Sequence, residues 1–159
     1  IGEILLGGPQ VMKGYFRDPE RTAEVMTADG FFKTGDLGRF DAEGRLHIAG
    51  RSKELIIRSG FNVYPVEVEG ILTDHPEVIV AGVVGRPVEG NEEVLAFVKV
   101  AKGSPVTEDD LKAFLQDRLA PYKRPSRIVI ANELPAAPTG KILKSKLIET
   151  FAENLAEPA

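Results

Sequence analysis

The chain has 159 residues, 43% of them hydrophobic and 28% charged, and its 24 acidic against 20 basic side chains leave a formal net charge of −4. That balance supports a soluble globular protein with a buried core, and it argues against nucleic acid as a partner, which would need clustered cations to meet phosphates. Cysteine is absent, so disulfides and thiolate catalysis are excluded; no apolar run nears the roughly 20 residues that span a bilayer and nothing reads as a signal peptide, so a cytoplasmic location is expected.

In chain order, β-branched content and period-two alternation predict a first strand near 3–6. Asp18 can cap a short helix that has Pro19 in its first turn and runs to about Met26. Three further strands are expected near 37–41, 45–50 and 53–58, with Gly35, Gly44, Gly50 and Gly60 supplying the turns between β-like runs. Pro65 opens a second helix with Val66, Val68, Ile71 and Leu72 as its apolar face, and His75-Pro76 stops it. Strands near 78–85 and 94–101 follow. Thr107 caps a third helix whose first turn carries Glu108, Asp109 and Asp110, with Leu111, Phe114, Leu115 and Leu119 on one side. A last helix is expected from about Lys144 towards Asn154, with Leu147, Ile148 and Phe151 facing inward.

These elements divide into two unequal parts joined near Arg51-Ser52-Lys53. Residues 1–51 are mostly β and too short to bury a sound core alone. Residues 52–159 combine two or three antiparallel strands with about three helices, so the fold class is α+β.

Charged residues and glycines concentrate in FKTGDLGRFDAEGRLHIAGRSKELIIRSGFNVYPVEVE, from Phe32 to Glu69, and in LPAAPTGK, which ends at Lys141. Both stretches resemble signature segments of the acyl-adenylate-forming enzymes, the AMP-dependent acyl-CoA synthetase/ligase family, and the first 26 residues resemble the family segment that precedes its TGD motif. The resemblance implies that residues 1–51 are the tail of a large N-terminal AMP-binding domain and residues 52–159 a mobile C-terminal lid domain. It also implies that the family's phosphate loop and acyl pocket lie upstream, so the chain, which begins at Ile1 inside a strand, is expected to be part of a larger ligase and inactive alone.

The same resemblance assigns roles residue by residue. Asp36 of the TGD segment matches the carboxylate that binds the ribose hydroxyls of ATP or AMP; by itself it also reads as a turn residue capping its own backbone. Arg51 matches an arginine on the ribose and phosphate side of the nucleotide, a task suited to a planar, always charged fork; an ion pair with Glu54 or Asp41 is its simpler reading. Lys141 matches the catalytic lysine that reaches the substrate carboxylate and the α-phosphate, where a long stem carrying a compact charge can meet the gathering negative charge; a solvated lysine before a helix is the alternative. Lys53 matches the hinge, or is a strand lysine facing water. Gly60 matches the loop lining the CoA tunnel, and a β-turn is compatible with that. Tyr122-Lys123-Arg124-Pro125 and Arg127 form a basic patch that could meet CoA phosphates or only solvent.

The implied function is an acid–thiol ligase that activates a fatty or aromatic carboxylic acid with ATP and Mg²⁺ as acyl-AMP and transfers it to CoA. Carrier-protein-loading relatives usually have aspartate at the hinge, where this chain has Lys53, which favours CoA as acceptor over a carrier protein. A non-catalytic α+β interaction module is the reading from another class. Neither His47 nor His75 has a Ser or Cys partner arrangement, and no spacing suggests metal ligands, so no metal site is expected and Mg²⁺ would ride mainly on phosphates. The oligomeric state is left open, a homo-oligomer among the possibilities, and an exposed face on residues 1–51 could also make the isolated chain associate artificially.

Overall fold

The computed structural model describes residues 1–156 and divides into two compact units, Ile1–Lys53 and Glu54–Ala159. The division falls two residues beyond the boundary read from the sequence.

Unit 1 is a three-stranded antiparallel sheet in the order β1 (Gly2–Leu6), β2 (Phe32–Phe40), β3 (Leu46–Arg51), with α1 (Pro19–Val25) between β1 and β2. The Asp18 carboxylate accepts from the Arg21 amide at 3.0 Å and Pro19 starts the helix, as the capping pattern requires. β2 begins five residues earlier than its alternation suggested, because Leu5 and Leu6 of β1 pair with Lys33 and Phe32. A bulge between Leu37 and Gly38 shifts the β2–β3 register. Among the described residues no buried apolar side chain lies in unit 1; the first is Ile56.

Unit 2 is built on a sheet of β6 (Val78–Val88), β7 (Asn91–Val100) and β8 (Arg127–Ala131), with β7 in the centre. β7 is covered on both faces, so its middle, Val94 to Val98, is a continuous apolar run. The pleat still sorts it: Val94, Ala96 and Val98 join Val68, Leu72, Leu111 and Leu115 on one side, while Leu95 and Phe97 join Val129, Leu147 and Leu155 on the other. The first layer is α2 (Pro65–Thr73) and α3 (Glu108–Gln116); the second is α4 (Lys144–Thr150) and α5 (Ala152–Leu155). A small antiparallel hairpin, β4 (Ile56–Arg58) and β5 (Phe61–Val63), completes the unit. The α+β class holds.

Several details differ from the sequence reading. β8 was not anticipated, and it pairs with β7 in parallel, not antiparallel, fashion. With α3 between them the two strands form a crossover unit, which period-two alternation cannot reveal. Residues 52–54 form a 3₁₀ turn and not the start of a strand. The last helix is broken at Phe151, whose backbone leaves the helical region, into α4 and α5. Val66 is 44% exposed, so the inner face of α2 is Pro65, Val68 and Leu72, with Ile71 partly buried against the same core. α3 starts as expected: the Thr107 hydroxyl accepts from the Asp110 amide and the Thr107 amide donates to the Asp110 carboxylate, a reciprocal cap.

Two partly buried carboxylates tie these layers together. Burial raises the pKa of Glu93, but the Ser126 hydroxyl and Arg86 outweigh it and hold the group below its ordinary value. Burial likewise opposes, and Lys112, the Ile128 amide and Arg127 prevail, at Glu108. A carboxylate depressed in the folded state adds stability above its unfolded-state pKa, about 4.3, and that contribution is lost as pH falls through the folded-state value. Urea midpoints for the chain are therefore expected to be flat from neutral pH to about 5 and to fall below about 4.3. Glu108→Gln should flatten that acid limb; an unchanged limb would contradict the assignment.

Candidate active site

In unit 1, Asp36 and Arg51 are cross-strand partners on β2 and β3, and Arg51 Nε donates to Asp36 Oδ1 at 3.1 Å. The sequence offered Glu54 or Asp41 as the simpler partner for Arg51, yet the register delivers Asp36. Thr34 fixes the backbone beneath the pair: its hydroxyl donates to the Ile4 carbonyl at 2.8 Å and accepts from the Asp36 amide at 3.1 Å. Both side chains remain open to solvent, 35% for Asp36 and 58% for Arg51. Among the described residues no other side chain engages Asp36 Oδ2 or the terminal guanidinium nitrogens. An anionic acceptor and a cationic fork thus stand side by side, which suits a ligand carrying vicinal hydroxyls next to phosphate.

Asp41 has another task. It accepts from the Glu43 and Arg45 amides, from Arg45 Nε, and lies 2.7 Å from His47 Nε2. The His47 contact foremost, then the backbone bond from Arg45, holds its carboxyl down to about 2. His47 is therefore a strand residue engaged by a turn. His75 packs edge-on to Phe114 at 4.9 Å and accepts from the Glu77 amide through Nδ1.

Lys53 is exposed, the middle residue of the 3₁₀ turn Ser52–Glu54 and the last residue of unit 1.

In unit 2, Gly60 closes the β4–β5 hairpin. Ser59 and Gly60 both have positive φ, 52° and 80°, the requirement of a two-residue turn that matches strand twist. The turn is pinned by the Ser59 amide donating to Asn91 Oδ1 at 2.7 Å. Phe61 beside it stacks on Tyr122, with centroids 4.6 Å apart. Arg58 Nη1 donates to the Arg124 carbonyl at 2.6 Å, tying this hairpin to the 121–125 segment.

The basic patch is largely consumed internally. Lys123 pairs with Glu67 at 2.6 Å, Arg124 donates to the carbonyls of Gln116, the last residue of α3, and of Leu119 just beyond it, and Arg127 donates to the Asn154 carbonyl. This geometry supports the structural reading of those cations.

Lys141 ends a tight turn. The Ala137 amide donates to the Lys141 carbonyl and the Gly140 amide to the Ala137 carbonyl, each at 2.8 Å, while Gly140 has φ 84°. A turn closed by a left-handed glycine is a common three-residue hairpin loop, and Pro138 stiffens its approach. The lysine is exposed, and among the described residues its ammonium has no ion pair or hydrogen bond. Its contrast with Lys144 is sharp. Lys144 Nζ lies 2.6 Å from Glu54 and 2.7 Å from Glu69; partial burial works against its charge, but the two glutamates prevail and raise its pKa above the ordinary lysine value. The sequence reading missed this triad. The available signal was a cation in the first turn of a helix, where the helix dipole disfavours it unless a partner is supplied.

No group of His, Asp or Glu side chains among the described residues could hold a metal ion, and no helix among them is long and apolar enough to cross a membrane.

Residues 67–141 match the family described as the AMP-binding enzyme C-terminal domain. A long-chain-fatty-acid–CoA ligase of Bacillus subtilis is 47% identical over 156 residues, covering 96% of this chain and 27% of that protein. A 4-coumarate–CoA ligase of Nicotiana tabacum is 42% identical over 155 residues, covering 97% of this chain and 29% of that protein. Among solved structures, ATP-bound MatB from Rhodopseudomonas palustris matches with a TM-score of 0.89 at 40% identity, covering 98% of this chain and 31% of that one. The chain belongs to the acyl-adenylate-forming ligase family and corresponds to the C-terminal portion of its members. It spans less than a third of the length of each of these three relatives.

Proposed function

We propose that the chain is the C-terminal part of an ATP-dependent acid–thiol ligase that works on a fatty or aromatic carboxylic acid. The observation that carries this reading is the Asp36–Arg51 pair, an acceptor beside a cationic fork in a chain similar to a CoA ligase over 96% of its length. In the first half-reaction the acid's carboxylate oxygen attacks the α-phosphorus of ATP, and the bond to pyrophosphate breaks. In the second, the CoA sulfur bonds to the acyl carbon as AMP leaves.

Asp36 accepts from the ribose hydroxyls and Arg51 holds the ribose and phosphate side, the two keeping each other in position. Lys141 meets the charge developing on the carboxylate and α-phosphate, a role for which an unpaired, exposed ammonium on a stiffened turn is suited. Mg²⁺ would be held by the nucleotide phosphates and by chain upstream, and it supplies charge neutralisation there. Gly60 contributes to the CoA channel, and Lys53 is the pivot on which the lid domain, residues 52–159, turns. Residues 1–51 are the tail of the large domain, in keeping with a unit that buries no apolar side chain of its own. A cytoplasmic location belongs to the same proposal, since ATP and CoA are drawn from that compartment.

In the full ligase, Asp36→Ala should raise the KM for ATP about 10- to 100-fold, the value of a charge-assisted hydrogen bond. Arg51→Lys should recover only part of the loss seen in Arg51→Ala, because a point charge cannot reproduce the fork. Unchanged KM values in both alanine variants would remove the pair from nucleotide binding.

A further inference from the structure

We propose that Lys144 is a positioning residue for Lys141, acting through its pair with Glu54; the inference rests on the ligase reading above. Lys141 stands three residues before α4, and the turn that carries it runs straight into that helix. The Leu143 amide donates to the Pro135 carbonyl at 2.8 Å, closing the base of the turn on the residue that precedes α4. Whatever fixes the first turn of α4 therefore fixes the stem of Lys141.

Two contacts do this. Ile142 packs over Gly82 of β6, where even a methyl group would meet Ile142 at 3.3 Å and Leu147 at 3.0 Å. Lys144, the first residue of α4, then reaches two separate elements: Glu54, which follows Lys53 in sequence, and Glu69 of α2. Glu69 is itself anchored, since its Oε1 also accepts from the Val83 amide at 2.8 Å. The Lys144 side chain is 22% exposed and those of Glu54 and Glu69 are 33% and 18% exposed, so the triad is partly desolvated, not a loose surface pair.

Placing a lysine here has a cost that a merely helical residue would avoid. A cation in the first turn opposes the helix dipole, and no side chain caps the α4 N-terminus. The two glutamates offset that penalty and in return lock helix, α2 and the residue after the hinge into one geometry. Glu69 supplies the anchor to the core, and Glu54 connects the Lys141 stem to the linker.

The test uses the full ligase with Lys144→Gln, Glu54→Gln, their double variant and Lys144→Arg. ATP–pyrophosphate exchange is measured alongside the thermal midpoint. Each single variant is expected to lower kcat for exchange about tenfold while leaving the KM for ATP within about twofold. The double variant should fall no further than the singles, and Lys144→Arg should recover most of the rate. In the 159-residue chain, amide hydrogen exchange at Gly140 and Leu143 should quicken about tenfold in Glu54→Gln, with β7 amides unchanged. Undiminished kcat in Glu54→Gln, or unaltered exchange at Gly140 and Leu143, would overturn the proposal while leaving the ligase reading intact. Absence of pyrophosphate exchange in the unmodified protein would overturn both.

Discussion

Lys141→Ala in the full ligase is expected to lower the rate of acid-dependent ATP–pyrophosphate exchange by about 100- to 1000-fold, the usual effect of removing one preorganised charge or donor from a developing transition state. The KM for ATP should change little, because the proposed roles give the binding contacts to Asp36 and Arg51 and leave Lys141 to act on charge that gathers only during reaction. Lys141→Arg should not restore the rate, since a bulky planar fork replaces a compact ammonium on a slender stem. Folding should be indifferent to the change: Lys141 is exposed and among the described residues makes no side-chain hydrogen bond or ion pair that alanine would abolish. Thioester formation from supplied acyl-AMP should survive better than adenylation, and equal loss of both steps would assign Lys141 a different role.

Phe97→Ala is expected to destabilise unit 2 by about 3–5 kcal/mol, measured by urea unfolding of the chain. Phe97 is fully buried at the centre of β7, packed with Leu95, Val129, Leu147 and Leu155, and its ring lies 5.5 Å from that of Phe151. Truncation leaves a cavity where α4 and α5 meet the sheet, against a total stability of about 5–15 kcal/mol for a typical domain. Val66→Ala, on the exposed side of α2, should stay within about 0.5 kcal/mol. A loss below about 1 kcal/mol at Phe97 would contradict the two-sided packing of β7. Because the same layer seats α4, the variant should also loosen the Lys141 turn.

What the sequence made legible follows from how local each signal is. α3 could be read from Thr107 and the acids after it because a reciprocal cap involves residues three apart. β6 and β7 were visible from β-branched density alone. β8 escaped because the partner of a parallel strand is set by the crossover and not by any nearby turn, although Ile128–Ala131 is an apolar run within it. The break at Phe151 carries no Gly or Pro to announce it.

The site shows the same division. Asp36, Arg51, Lys141 and Gly60 could be singled out by resemblance, while the positive φ of Gly60 and Gly140 appears only in the fold. Which charges pair could not be read, because pairing depends on register and packing. Arg51 meets Asp36 across strands, while the two acids the sequence offered it turn elsewhere, Glu54 to Lys144 and Asp41 to Arg45 and His47. Likewise the cations at 123, 124 and 127 look free in sequence and are engaged by Glu67 and by backbone carbonyls in the fold.

The central claim, that this chain serves acid activation by ATP, is tested most directly by ATP–pyrophosphate exchange in the full ligase across short, fatty and aromatic carboxylic acids. The account predicts exchange that requires Mg²⁺, depends on one class of acid and proceeds without CoA, together with no exchange by the 159-residue chain alone. Absence of exchange with every acid, from a protein that is folded and binds ATP, would contradict it.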